Sequence, residues 1–189
     1  MKKETALLFF MAVIMTGAMA QGVSFGIKAG LNLAKESASG SGITINSDNR
    51  ANFHGGVYLK AMLTPNFGIQ PELLYSGQGG GSGSNSDKFA YLNIPVMLRY
   101  NIVPMFNIQA GPQLGLLLSA SNNGQDIKSQ LKSTDFGAAF GIGVDLPMGL
   151  NFAARYVLGF SDIQATPVSG ITVKNQVIQI SVGYKLFGI

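Results

Sequence analysis

The chain has 189 residues, of which 47% are hydrophobic and only 12% charged, with a formal net charge of +4 and no cysteine. So apolar a composition argues against disorder, and the lack of cysteine excludes a disulfide framework, a thiolate metal site and a lipid-bearing N-terminal cysteine. Beyond the N-terminus no apolar run approaches the ~20 residues of a membrane-spanning helix.

The opening MKKETALLFFMAVIMTGAMA has a basic start at Lys2 and Lys3, an apolar run from Ala6 to Met15 and the small-residue pattern Ala18-Met19-Ala20. It reads as an export signal over residues 1–20, cleaved after Ala20, with a single domain over residues 21–189. Without Lys2, Lys3 and Glu4 that domain carries 11 basic and 8 acidic residues.

From there the dominant period is two, the signature of strands with one apolar and one polar face. The first segment sets Phe25, Ile27, Ala29, Leu31 and Leu33 against Gly26, Lys28, Gly30 and Asn32. The second sets Phe53, Val57, Leu59 and Leu63 against His54, Tyr58, Lys60 and Met62, and the third Phe67, Ile69, Leu73 and Tyr75 against Gln70, Glu72 and Ser76. In the fourth, Leu92, Ile94, Val96, Leu98 and Tyr100 oppose Asn93, Pro95, Met97 and Arg99; in the fifth, Phe106, Ile108, Ala110 and Leu114 oppose Asn107, Gln109 and Gln113. The sixth alternates Phe136, Phe140, Ile142 and Val144 with Gly137, Gly141 and Asp145. The seventh alternates Phe152, Tyr156 and Phe160 with Asn151 and Arg155, and the eighth Ile178, Ile180, Val182 and Tyr184 with Gln179, Ser181 and Lys185.

Short turns at Thr64-Pro65-Asn66, Val103-Pro104-Met105 and Pro147-Met148-Gly149 alternate with longer polar connections over residues 35–52, 79–88, 121–133 and 161–174. Eight antiparallel strands with short turns at one end and long loops at the other make an all-β, up-and-down transmembrane barrel of a Gram-negative outer membrane. A soluble barrel would have to hold the bulky Phe, Tyr, Ile and Leu face inside, and eight strands leave room for little beyond small side chains. The bulky face is therefore expected to meet lipid. Phe25, Phe67, Tyr100, Phe106, Phe152 and Tyr184 near the turns, and Phe53, Tyr75, Phe89, Phe136 and Phe160 near the loops, are placed as two interfacial girdles.

That arrangement accounts for Arg155, a charge in the otherwise apolar stretch NFAARYVLGF: it points into the barrel. Lys28, Lys60, Glu72, Arg99, Asp145 and Lys185 share its face, giving five cations and two carboxylates inside. The basic balance thus belongs to the interior and gives no support to a nucleic-acid surface. Glu72, in mid-strand, is expected to be the hub of an internal ion network, with Lys60 diagonally near it and Arg155 and Arg99 as further partners. Pro71, Pro95 and Pro112 lie within strands that have no free edge, so bulges or missing ladder bonds are expected beside them.

Catalytic chemistry is thin. His54, the only histidine, lies on the inner face near the loops without an evident triad in the nearby sequence. The glycine-rich GQGGGSGS at residues 77–84 precedes no helix that would hold a phosphate and reads as a loop. No catalytic, cofactor or metal site is expected, and the loops are where binding specificity would lie.

The runs FGIKAGLNLA, GIQPELLYSGQG, YLNIPVMLRY, GPQLGLLLSA and DFGAAFGIGVDLPMGLNFAARYVLGFSDI resemble the PorT-type outer-membrane β-barrel family across nearly the whole domain. The prolines in QPELLY and NIPVML are the most specific part of the resemblance. It implies a barrel in the outer membrane, in contact with lipid and with envelope protein partners, and a link to secretion of exported proteins. It supplies no catalytic motif. A narrow, weakly anion-favouring pore is the alternative that the basic interior suggests.

Overall fold

The computed structural model describes residues 22–40, 43–46, 50–79, 81–82, 85–161 and 171–188. The proposed signal segment, residues 1–20, lies outside them. Eight long strands stand among the described residues: β1 Val23–Gly40, β2 Arg50–Met62, β3 Phe67–Gln78, β4 Asn85–Val103, β5 Phe106–Asn122, β6 Thr134–Asp145, β7 Leu150–Gly159 and β8 Ile171–Gly188. Each pairs antiparallel with the next. β8 then returns to β1, from Ser24↔Gly188 to Gly40↔Ile171, and closes the barrel.

Closure leaves each strand one face outside and one inside, and the burial is the inverse of a soluble domain's. Outward residues such as Leu31 (60%), Phe53 (62%), Ile142 (64%) and Ile180 (58%) are exposed, whereas Lys28 (4%), Glu72 (4%) and Arg155 (3%) are buried. Such a surface is tolerable only against lipid. The turns Leu63–Asn66, Pro104–Met105 and Leu146–Gly149 lie together at one end. There the Pro147-Met148-Gly149 turn holds Met148 at φ 71°, left-handed backbone that a methionine rarely adopts.

Two expectations change in the structure, and a third resolves to one of its two alternatives. The long strands run further into the predicted loops: the backbones of residues 35–40 and 171–176 stay paired. Short strands Ile43–Asn46, Gly81–Ser82 and Gln125–Asp126 extend the ribbons of β1, β4 and β5. Secondly, Phe89 is not in a lipid girdle. It is 4% exposed and packs inside the barrel with Tyr91, Leu117 and Ala120, against Ile127 and Leu131 from the β5–β6 connection. A bulge between Ala90 and Tyr91 skips Leu118 on β5, so Ala120 beyond it joins Leu117 on the inner face and enlarges that apolar cluster.

Of the two consequences expected of the prolines, the structure shows missing ladder bonds rather than bulges. Paired positions are missing between Tyr58↔Glu72 and Ala61↔Ile69 beside Pro71, between Pro71↔Val96 and Leu74↔Asn93 beside Pro95, and between Pro95↔Gln113 and Leu98↔Ala110 beside Pro112. The register is the same on both sides of each gap, because proline removes a donor without inserting a residue. The bulges fall elsewhere, at Phe25/Gly26, Ala90/Tyr91 and Asn101/Val103.

Candidate functional site

Ladder geometry carries polar side chains into the lumen in rows across strands. One row runs Arg99↔Gln109↔Gly141↔Arg155↔Gln179↔Asn32 through β4, β5, β6, β7, β8 and β1. Gly141 separates Arg155 from Gln109 in that row. A methyl group there would sit 2.6 Å from Arg155 Cγ, so the missing side chain lets the guanidinium cross the strand. Arg155 Nε accordingly donates to Gln109 Oε1 at 2.9 Å. Gly141→Val is expected to displace Arg155 and cost about 2 kcal/mol or more of unfolding free energy, which urea titration of the refolded barrel measures.

Beyond Gln109, Arg155 reaches Glu72 on β3 with two nitrogens, at 2.8 Å to Oε2 and 2.7 Å to Oε1. Lys28 Nζ and Gln70 Nε2 also donate to Glu72 Oε1, each at 2.6 Å. Glu72 is thus the hub: a bidentate guanidinium, an ammonium and an amide together replace its lost hydration. Gln70 continues the chain by accepting from Arg99 Nη1 at 2.7 Å, and Arg99 Nη2 donates to Asp145 at 2.6 Å. Lys60 joins the same Asp145 carboxylate at 3.3 Å.

The structure therefore brings Lys28, Lys60, Glu72, Arg99, Asp145 and Arg155 into one network through six strands, and leaves Lys185 outside it. Lys185 is exposed at the short-turn mouth and forms none of the ion pairs found among the described residues. Lys60 does not contact Glu72 as expected. In the β2–β3 register Tyr58 faces Glu72, and Lys60 lies nearer the mouth, where Asp145 is its partner.

Sequence reasoning missed the two glutamines that connect the ions, Gln70 and Gln109. Their signal was present: each is an amide on an inner face otherwise rich in small residues. It missed Tyr58 as well, whose ring lies 5.9 Å from Lys28 Nζ and whose hydroxyl accepts from Asn151 at 2.9 Å.

A second polar chain lies toward the loops. His54 Nδ1 is 2.7 Å from Asn32 Oδ1, and His54 Nε2 is 3.0 Å from Ser181 Oγ. Asn32 Nδ2 donates to Ser76 Oγ and Gly77 O, so its Oδ1 is the acceptor for a proton on Nδ1, which leaves Nε2 to accept from Ser181. The order of groups is that of a nucleophilic relay, but Asn32, His54 and Ser181 are 0%, 1% and 4% exposed. A group this enclosed gives substrate no approach, and its hydrogen bonds tie β1, β2, β3 and β8 together. No group of three or more His, Cys, Asp or Glu placed to hold a metal occurs among the described residues.

An eight-stranded barrel with an apolar outer face and a polar, ion-paired lumen is the architecture of outer-membrane β-barrels. Residues 19–165 match the outer membrane protein beta-barrel domain family, and the chain belongs to that family. It is a protein of the Gram-negative outer membrane. Among solved structures, Neisserial surface protein A is similar at TM-score 0.61 and 17% identity, covering 88% of this chain and all of that one. The attachment invasion locus protein Ail of Yersinia pestis aligns at TM-score 0.48 and 13% identity, over 86% of this chain and 99% of that one. No curated protein matches the chain.

Proposed function

We propose that this barrel is a closed structural and interaction component of the cell envelope, of the PorT type and linked to secretion, rather than a solute channel or an enzyme. The observation that carries this reading is the filling of the lumen at successive levels. Near the loops Phe89, Tyr91, Leu117 and Ala120 pack together under Ile127 and Leu131. Deeper in, the Glu72 and Asp145 networks join side chains from β1 to β7 across the interior. A lumen crossed in this way holds the wall rigid and leaves function to the outer face, the loops and the turns.

On this reading the outer face meets outer-membrane lipid, the loops or periplasmic turns meet envelope proteins, and neither nucleic acid nor a cofactor takes part. Two measurements test it. In planar bilayers the purified barrel is expected to show no steady conductance; a persistent, anion-selective current would replace this reading with that of a narrow pore, for which the excess of lumen cations is the physical basis. Gentle detergent extraction is expected to yield a defined complex larger than one barrel, and a lone monomer would overturn the interaction role.

A further inference from the structure

The lumen opens at the short-turn mouth. A cavity of about 440 Å³ lies there, bounded by Lys60, Asp145 and Lys185, with Asn101 and Asn151 as neutral polar groups. Asp145, the only carboxylate among the described residues that line it, is already engaged by both Arg99 and Lys60. With Lys185 beside Lys60, two cations line this opening against one carboxylate that is already paired, so an entering anion finds a favourable field.

The remaining wall is apolar and adaptable. Met62, Met105 and Met148 line it, with Pro104 and Pro147 from the turns. Met148 is 85% exposed and held in the left-handed region, where it gains little burial to offset backbone strain. Gly149, also left-handed at φ 87°, brings this turn against β8: a methyl group there would lie 3.3 Å from Lys185 Cβ. The strained turn thus sets the flexible side chain of Met148 in the wall of the same opening that Lys185 lines. Strain kept at an exposed apolar residue marks a contact surface, and methionines suit one that must fit varied apolar side chains.

We infer that this mouth is a docking pocket for an acidic peptide segment of a periplasmic protein, with glutamate or aspartate carboxylates held by Lys60 and Lys185 and a neighbouring apolar side chain held by the methionines. The inference rests on the closed-barrel reading, and on the short turns facing the periplasm as they do in barrels of this kind. The amides of Asn101 and Asn151 add neutral donors, and the cavity has room for one or two side chains rather than a folded domain.

The test uses the full refolded barrel in detergent and a fluorescent octapeptide with two adjacent glutamates between leucines, followed by anisotropy. The glutamate peptide is expected to bind at least about fivefold more tightly than the same peptide with glutamines, and Lys60→Gln with Lys185→Gln to remove that difference. Met148→Gly is expected to weaken binding while leaving the urea midpoint unchanged or raised, since glycine relieves the left-handed strain. Equal binding of the two peptides, undiminished binding by the double lysine variant, or undiminished binding by Met148→Gly overturns the proposal. Displacement by inorganic phosphate as effectively as by unlabelled peptide also overturns it, as the mouth would then be a bare anion site. Conductance of the same preparation separates the two readings: a silent barrel that ignores the peptide sinks only the pocket, whereas a conducting one sinks the closed-barrel reading.

Discussion

Replacing Glu72 with glutamine is expected to lower the stability of the refolded barrel by about 3–5 kcal/mol, the usual cost of removing one partner from a buried ion pair. Lys28 and Arg155 each lie within 2.8 Å of this carboxylate, and Glu72 is 4% exposed, so no bulk water replaces the lost charge. Both cations are then left in the lumen without an anion. Urea titration read by gel mobility gives the midpoint. Adding Arg155→Met to Glu72→Gln is expected to recover part of the loss by removing one of the stranded charges, and the resulting cycle measures the coupling directly. An unchanged midpoint for Glu72→Gln would mean that the lumen charges are separately hydrated.

The second large effect is expected on the outside. The outward row Tyr100↔Ile108↔Ile142↔Ala154↔Ile180↔Leu31↔Phe53 climbs from the turn-end girdle to the loop-end girdle, so Ile142 lies beside its middle. Ile142→Arg therefore places a cation near the bilayer midplane and is expected to cost about 2–4 kcal/mol when the barrel folds into lipid vesicles. The same substitution at Met148, in the exposed turn, is expected to cost less than about 1 kcal/mol. Equal and negligible costs at the two positions would mean that the apolar face does not meet lipid.

Much of this architecture was legible because a period of two, broken by short turns, admits few folds. The phase of each strand placed Ile142 outside and Arg155 inside before any geometry was known. Phe89 was misplaced although the period of two includes it: it continues the inner row Tyr91, Asn93, Pro95, Met97 and Arg99 of β4. Only its aromatic ring near the loops suggested a girdle, and the bulge changes the phase of β5 and not of β4. In the lumen the hub could be read from the middle position of Glu72, but its partners could not. Lys60 is nearer in sequence, yet Lys28 from β1 takes the place beside Glu72, because reach across a closed wall depends on strand stagger and side-chain length. The Ser181, His54 and Asn32 chain was hidden for the same reason, with 127 positions between His54 and Ser181.

The gaps beside Pro71, Pro95 and Pro112 fall on three neighbouring strands, whereas β1 and β8, where the ends of the barrel meet, pair along nearly their whole length. The closing seam is thus held chiefly by its backbone ladder, whereas the β3–β5 panel, short of ladder bonds, relies more on Glu72, Gln70, Arg99 and Gln109 bracing it from inside. In a barrel built in this way lumen side chains stand in for missing backbone bonds on the side opposite its closure, while the strands joined last in topology hold the ring shut through their ladder.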